Sequence, residues 1–152
     1  MNGLNHSVFY AGLMLVAGLG IPIMAALNGG LGGKLQSPIL ATTILFVVGL
    51  TVSLGFLLIL EGVPTFSTQE EIPLYSYLGG LFVIFYILSI TWVAPKFGVG
   101  NAVSFVLLGQ LVSMTLIDHY CLLGASHYPI SIQRVSGLIF MVVGVFLVVR
   151  RY

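Results

Sequence analysis

The chain has very few charged residues, and this shortage excludes most classes of soluble protein. Of its 152 residues, 6% are charged and 59% are hydrophobic. A soluble domain carries about a quarter of its residues as Asp, Glu, Lys or Arg. The mean hydropathy of +1.14 indicates instead a protein whose surface faces lipid.

Other groups that carry chemistry are also scarce. Cys121 is the one cysteine, so the chain has neither a disulfide nor a paired-cysteine metal or redox motif. No cluster of Lys and Arg is present to hold phosphates, and we expect no nucleic-acid partner. Paired carboxylates, Ser/His arrangements, metal clusters and nucleotide loops are missing from the sequence. We therefore predict a protein that is not an enzyme and holds no metal or cofactor.

Five long apolar runs are what the sequence does contain. A membrane helix needs about 20 such residues. We predict an all-α integral membrane protein, a single domain over residues 1–152, with five transmembrane helices at about 8–27, 39–60, 74–93, 100–120 and 132–149. Ser37 is expected to cap the second helix with Pro38 at its first position, and Pro95 to end the third.

The basic residues suggest an orientation for these helices. With five spans, Lys34, Lys96, Arg150 and Arg151 fall on one side of the membrane and Arg134 on the other. Loops rich in Lys and Arg are cytoplasmic. We therefore predict an inner-membrane protein with its N-terminus outside and its C-terminus in the cytoplasm.

Glycine is abundant, with 19 residues. In lipid, small residues let helix backbones approach closely, within one chain or between two. Gly137 and Gly144 lie two turns apart on one side of the fifth helix, and we predict that they form a dimer seam. Gly79, Gly80 and Gly109 are expected to mark further contact faces.

The first helix is interrupted near its middle. Pro22 leaves the carbonyl of Gly18 without a helical donor and should bend the helix. Interrupted spans of this kind point to substrate sites in transporters, because the freed backbone can face a cavity. Equally, Gly and Pro are common in membrane helices without such a role. Gly18 and Pro22 are therefore candidates for a substrate site.

Neutral polar residues are the other candidates for substrate binding, namely Gln110, Tyr86, Ser104 and Ser113. Gln110 sits near the centre of the fourth span, where an unpaired amide is costly. It either bonds to another helix or lines a substrate cavity. At about 100° per residue, Ser104 and Asp118 share one face of the helix, while Gln110 and Ser113 point elsewhere. A single polar relay along this helix is thus not expected.

Asp118 lies about two turns beyond Gln110, at the end of the fourth span. Its expected partner is His119, Arg134 or a helix end. We group Asp118, His119 and Asn28 as gate or structural residues.

Three stretches resemble the end of a repeat in the drug/metabolite transporter superfamily: "FYILSITWVAPKFGVGNAVSF", "LLGQLVSMTLIDHYCLLG" and "ISIQRVSGLIFMVVGVFLVVRR". In that superfamily a helix ends in an acidic residue, and after a short loop a Gly-rich helix closes the repeat. Asp118, Gly137, Gly144 and Val145 occupy those positions. The small YdcZ-like branch is more similar still, since it also covers "PIMAALNGGLGGKLQSPILATTILFVVGL".

This resemblance implies one five-helix repeat, half of a ten-helix transporter whose two repeats are inverted relative to each other. It also implies a homodimer or a paralogous heterodimer with an antiparallel arrangement. The related small multidrug exporters couple transport to protons through a glutamate in the first span. This first span has none, so their cation antiport is not carried over.

The functional hypothesis is a secondary transporter or exporter of a small metabolite or drug-like molecule across the cytoplasmic membrane. It would work as a dimer by alternating access, with the lipid bilayer and the substrate as its other partners. The alternative is a non-transporting membrane subunit that stabilises a partner complex. That alternative is favoured by the lack of any deep charge and opposed by the broken first helix.

Overall fold

The computed structural model describes residues 2–63 and 72–149, which form five long helices. These are α1 (Asn2–Lys34), α2 (Pro38–Leu60), α3 (Gly79–Phe97), α4 (Val99–His119) and α5 (Ile132–Val149). Short 3₁₀ helices cover Leu74–Leu78 before α3 and Leu122–Gly124 after α4. Each of the five segments is long and apolar enough to cross a membrane. Arg150 and Arg151, on which part of the charge argument rests, lie outside the described residues.

The start of α2 is as the sequence predicts. Ser37 adopts an extended backbone conformation, and its hydroxyl accepts a hydrogen bond from the backbone N–H of Leu40 at 3.1 Å. Pro38 occupies the first turn, where its missing N–H costs no helical bond. The N-cap prediction is confirmed.

The first helix is longer than the sequence suggests. The predicted end is Leu27, just before the glycine-rich stretch "NGGLGG", yet α1 continues to Lys34. Two of these glycines lie against other helices. A Cβ built on Gly29 would lie 3.2 Å from Cγ of Pro95, and one on Gly32 would lie 3.3 Å from Cγ2 of Thr91. Tertiary packing here overrides the low helix propensity of glycine.

The third helix differs from its predicted bounds at both ends. Residues 74–78 form a 3₁₀ helix, and the α-helix begins only at Gly79. At the other end α3 does not stop before Pro95 but runs on to Phe97. Proline lies there in the last turn, where it removes only the bond to the carbonyl of Thr91. Its ring packs against Gly29 of α1.

The last two helices start and end within a residue of the predicted positions. α4 packs against α5. In the segment that connects α4 to α5, Cys121 and Leu123 have left-handed backbone conformations, although neither is a glycine. Beyond that turn, the N–H of Tyr128 bonds back to the carbonyl of Asp118 at 3.1 Å.

Contacts divide the chain into two units. The terminal unit comprises residues 1–22 and 97–152, and the central unit comprises residues 23–96. Buried side chains in the central unit are small or polar as well as aliphatic: Ala25, Asn28, Ala41, Thr42, Ile87, Ile90, Thr91 and Ala94. Those of the terminal unit are Ala102, Thr115 and Val145. Most large apolar side chains face outward, as expected where lipid rather than water surrounds the helices.

Candidate functional site

A cavity of about 310 Å³ lies between α1 and α4 in the terminal unit. Its lining is aliphatic except at two positions. Gly18 provides bare backbone on α1, and Gln110 on α4 is the only polar side chain among the described residues that line it. The structure thus brings together two residues that the sequence singles out for different reasons, a glycine four residues before Pro22 and an amide near the centre of the fourth span. The helix α1 itself is continuous through both Gly18 and Pro22, so the predicted interruption does not end the helix.

Gln110 lies on the exposed part of α4. In the part of the chain that the structure describes, its amide makes no hydrogen bond to protein. An amide without a partner in a hydrocarbon environment costs several kcal/mol, roughly 2 to 7. The group is therefore available to a substrate, to water in the cavity or to a second protein chain.

The other candidates are not among the residues that line this cavity. Ser104 is half-buried on α4 and Ser113 is exposed, and neither belongs to the lining. Pro22 follows Ile21, the last lining residue of α1. Tyr86 belongs to the central unit. Of the six sequence candidates, Gln110 and Gly18 are the two that line this cavity.

In the central unit, Asn28 is only 4% exposed and donates from its side-chain amide to the hydroxyl of Thr91, which is 1% exposed. That hydroxyl in turn donates to the carbonyl of Ile87 at 2.7 Å. The hydroxyl of Thr91 thus accepts one hydrogen bond and donates another, and it provides an acceptor for the buried amide of Asn28. This supports a structural role for Asn28.

Thr91 is missed by the sequence reading. It stands in the apolar run "ILSITWV", and threonine in a helix commonly bonds back to a carbonyl of its own helix. Only the spatial approach of Asn28, 63 residues away in sequence, distinguishes Thr91 from such a residue.

Two further polar atoms of the central unit are buried. These are Oγ1 of Thr42 and the hydroxyl oxygen of Tyr86, and neither has a hydrogen-bond partner among the described residues. Other threonines of α2 behave differently: Thr43 and Thr51 donate to the carbonyls of Ile39 and Val47. The central unit therefore retains unused hydrogen-bonding capacity beside its Asn28–Thr91 pair.

Asp118 and Arg134 join α4 to α5. Oδ2 of Asp118 lies 3.0 Å from Nη2 of Arg134, so one of the partners expected for Asp118 is confirmed. Nη1 of Arg134 also donates to the carbonyl of Tyr128 at 3.4 Å. His119 uses Nδ1 to accept from the N–H of Ile130 at 3.3 Å. These contacts stabilise the α4–α5 connection between the last turn of α4 and the first turn of α5.

The glycines that the sequence assigns to contact faces are open. A Cβ on Gly79, Gly80, Gly109, Gly137 or Gly144 would meet no atom within 4 Å in the described part of the chain. The close intrachain contacts are instead at Gly29 and Gly32. Gly79, Gly80 and Gly109 therefore form no close contact within the described part of the chain, where helices approach closely at the meeting of α1, α2 and α3. Contact of these glycines with another chain stays a prediction.

The chain matches a known protein family. The family described as "Putative inner membrane exporter, YdcZ" matches residues 9–147, which is nearly the whole chain and covers most of each of the five helices. Comparisons with curated proteins and with solved structures gave no match. The family and the five apolar helices together make this a multi-pass inner-membrane protein of a family described as exporters. The chain belongs to the YdcZ family of drug/metabolite transporter type.

Proposed function

We propose that the chain forms one half of a secondary exporter, which moves a small metabolite or drug-like molecule across the cytoplasmic membrane by alternating access. The α1–α4 cavity of the terminal unit contributes to the substrate path. Gln110 recognises a hydrogen-bonding group of the substrate, and Gly18 allows the substrate to approach the backbone of α1.

The cavity is the observation that carries this proposal. Ligand sites are mainly apolar, with a few polar groups that fix the orientation of the ligand. A volume of about 310 Å³ with one amide in an aliphatic wall has this composition. A small, largely apolar solute with one polar group fits it better than an inorganic ion or a sugar does.

A second chain completes the transporter in this proposal. Alternating access needs two bundles that move about a central site, and five helices correspond to one. The partner is a second copy or a paralogue, inserted in the opposite orientation. The exposed face of α5 around Gly137 and Gly144 is the proposed seam, since small residues there permit close helix contact.

A flux screen in liposomes tests the proposal. Purified protein is reconstituted, and the exchange of small metabolites, drugs and toxic cations is followed against empty liposomes. We expect one chemical class to be moved in a protein-dependent way. If co-purification yields a stable complex with other membrane proteins and no solute is moved by the chain or that complex, the protein is a non-transporting subunit.

A further inference from the structure

A second groove lies in the central unit, at the end where α2 begins and α3 approaches its last turns. Its volume is about 410 Å³, and its lining is almost entirely apolar: Pro38, Ile39, Phe85, Leu88, Ser89 and Trp92. A smaller recess of about 260 Å³ shares Pro38 and Trp92 with it and reaches Lys96. An apolar trough therefore leads to a single cation.

Trp92 and Lys96 form the polar end of this groove. The ammonium of Lys96 lies 4.1 Å from the centroid of the Trp92 ring. Trp92 is 55% exposed, so its ring forms part of an open wall rather than of the core. In the part of the chain that the structure describes, no carboxylate pairs with Lys96. Tryptophan with lysine at a helix end is the arrangement found at the level of lipid headgroups.

The end of the central unit that contains the groove is positively charged. Lys34 closes α1 and Lys96 lies in the last turn of α3, while α2 starts between them in sequence. The three helices meet here, since Gly32 contacts both Thr91 and Pro38. The only described carboxylate of this unit is Glu61, at the far end of the 23-residue α2. At 1.5 Å per residue that places it about 34 Å away.

We propose that this groove binds one anionic phospholipid. An acyl chain lies along Ile39, Phe85 and Leu88, and the phosphate group pairs with Lys96 at the edge of Trp92. Basic pockets between membrane helices favour anionic headgroups because the local positive charge is not neutralised by protein. The site lies wholly within the central unit and is independent of the Gln110 cavity.

Trp92 provides a direct readout, because it is the only tryptophan of the chain. The protein is reconstituted in bilayers of zwitterionic lipid, and phospholipid with brominated acyl chains is added as a quencher of tryptophan fluorescence. The quencher is phosphatidylglycerol in one series and phosphatidylcholine in the other. We expect phosphatidylglycerol to quench Trp92 at about fivefold lower mole fraction than phosphatidylcholine, the factor expected for one lysine near an anionic headgroup.

Two charge variants separate a specific site from general attraction. Lys96→Gln should remove the preference for phosphatidylglycerol. Lys34→Gln removes the same charge at the same end of the unit but outside the groove lining, and should keep most of the preference. If the two variants lose the preference for phosphatidylglycerol equally, the general positive potential at this end of the protein, and not a specific site, attracts the lipid. Equal quenching by the two lipids in the unaltered protein would overturn the proposal as well.

A groove-filling pair gives a second test. Ser89→Phe places a ring in the trough, whereas Ser53→Phe makes the same change at an exposed position of α2 outside it. We expect bound phosphatidylglycerol, counted by native mass spectrometry, to fall by about one per chain only in Ser89→Phe. Octyl phosphate tests for a soluble occupant: if it protects Trp92 from brominated phosphatidylglycerol at concentrations below micelle formation, the groove is a site for water-borne amphiphilic anions and the lipid assignment is wrong. If Ser89→Phe does not fold, the lysine pair still decides the question.

Discussion

The side-chain amide of Asn28 donates a hydrogen bond to the hydroxyl of Thr91, 63 residues further along the chain. Both side chains are buried, and the hydroxyl of Thr91 in turn donates a hydrogen bond to the carbonyl of Ile87. This bond connects the second half of α1 to α3 in the central unit. The bond lies in the same α1–α3 contact as Gly32, which has no side chain and so lets Thr91 approach.

Thr91→Val should destabilise the protein because it leaves the Asn28 amide buried without an acceptor. We expect a loss of about 1 kcal/mol in the free energy of unfolding, within the range of hydrogen bonds in membrane proteins. Thermal unfolding in detergent measures it, as a fall of about 3 °C in melting temperature. Thr43→Val removes only a bond to a helix carbonyl at an exposed site and is the matched control. Equal melting temperatures for the two variants would contradict a structural role for the Asn28–Thr91 bond.

Gly32→Leu should be strongly destabilising, whereas Gly30→Leu should be tolerated. A Cβ on Gly32 would lie 3.3 Å from Cγ2 of Thr91 and 3.4 Å from the Cα of Pro38, so these neighbours would have to move to admit a larger side chain. Overpacking of this kind costs about 1 to 3 kcal/mol. Around Gly30 the structure has open space in its described part. Folded yield and melting temperature after purification measure the difference, and similar values for both would show that the α1–α3 contact is loose.

Gln110 and Asp118 should affect different properties. We expect Gln110→Ala to raise the half-saturating substrate concentration by about fivefold to tenfold, the effect of losing one hydrogen bond to the substrate. Asp118→Asn should leave that concentration unchanged and lower the melting temperature, since it weakens the 3.0 Å pair with Arg134. Ser113→Ala is the control for a polar residue of α4 outside the cavity. If Asp118→Asn loses affinity in a well-folded protein while Gln110→Ala does not, the two roles are reversed.

Gly144→Leu should weaken the proposed dimer without affecting the fold of one chain. A Cβ built on Gly144 would meet no atom of the described residues within 4 Å, so the first atom of an added side chain has room. In a dimer joined along α5, the same bulk would separate the two helices. Light scattering in mild detergent should show a dimer for the unaltered protein. On dilution, the Gly144→Leu dimer should dissociate into monomers at a higher protein concentration than the unaltered dimer does. Gly109→Leu, also in open space but on α4, should leave the dimer intact.

The orientation of the chain is expected to follow its basic residues. Four of the five lie on one side if all five helices span the membrane, and that side should be cytoplasmic. Reporter fusions at the C-terminus should therefore be active mainly inside the cell. Signal on both sides would indicate insertion in two orientations, and signal only outside would refute the assignment.

The sequence alone determined the properties that depend on local composition. Apolar runs of about 20 residues specify membrane helices because lipid leaves the backbone no other way to satisfy its hydrogen bonds. Ser37 and Pro38 specified the start of α2, since an N-cap acts within one turn. The family was also visible in the residues around Asp118 and Gly137, and the match over residues 9–147 confirms it.

Tertiary structure decided what depends on neighbours distant in sequence. Glycine propensity favoured an end to α1 at Leu27, but Pro95 and Thr91 pack against Gly29 and Gly32 and keep the helix intact to Lys34. Nothing local distinguishes Thr91 from a threonine bonded to its own helix, because its second partner comes from α1. For the same reason, helical periodicity could separate Gln110 from Asp118 but could not place Gln110 beside Gly18. That placement requires the packing of α4 on α1, which no single helix encodes.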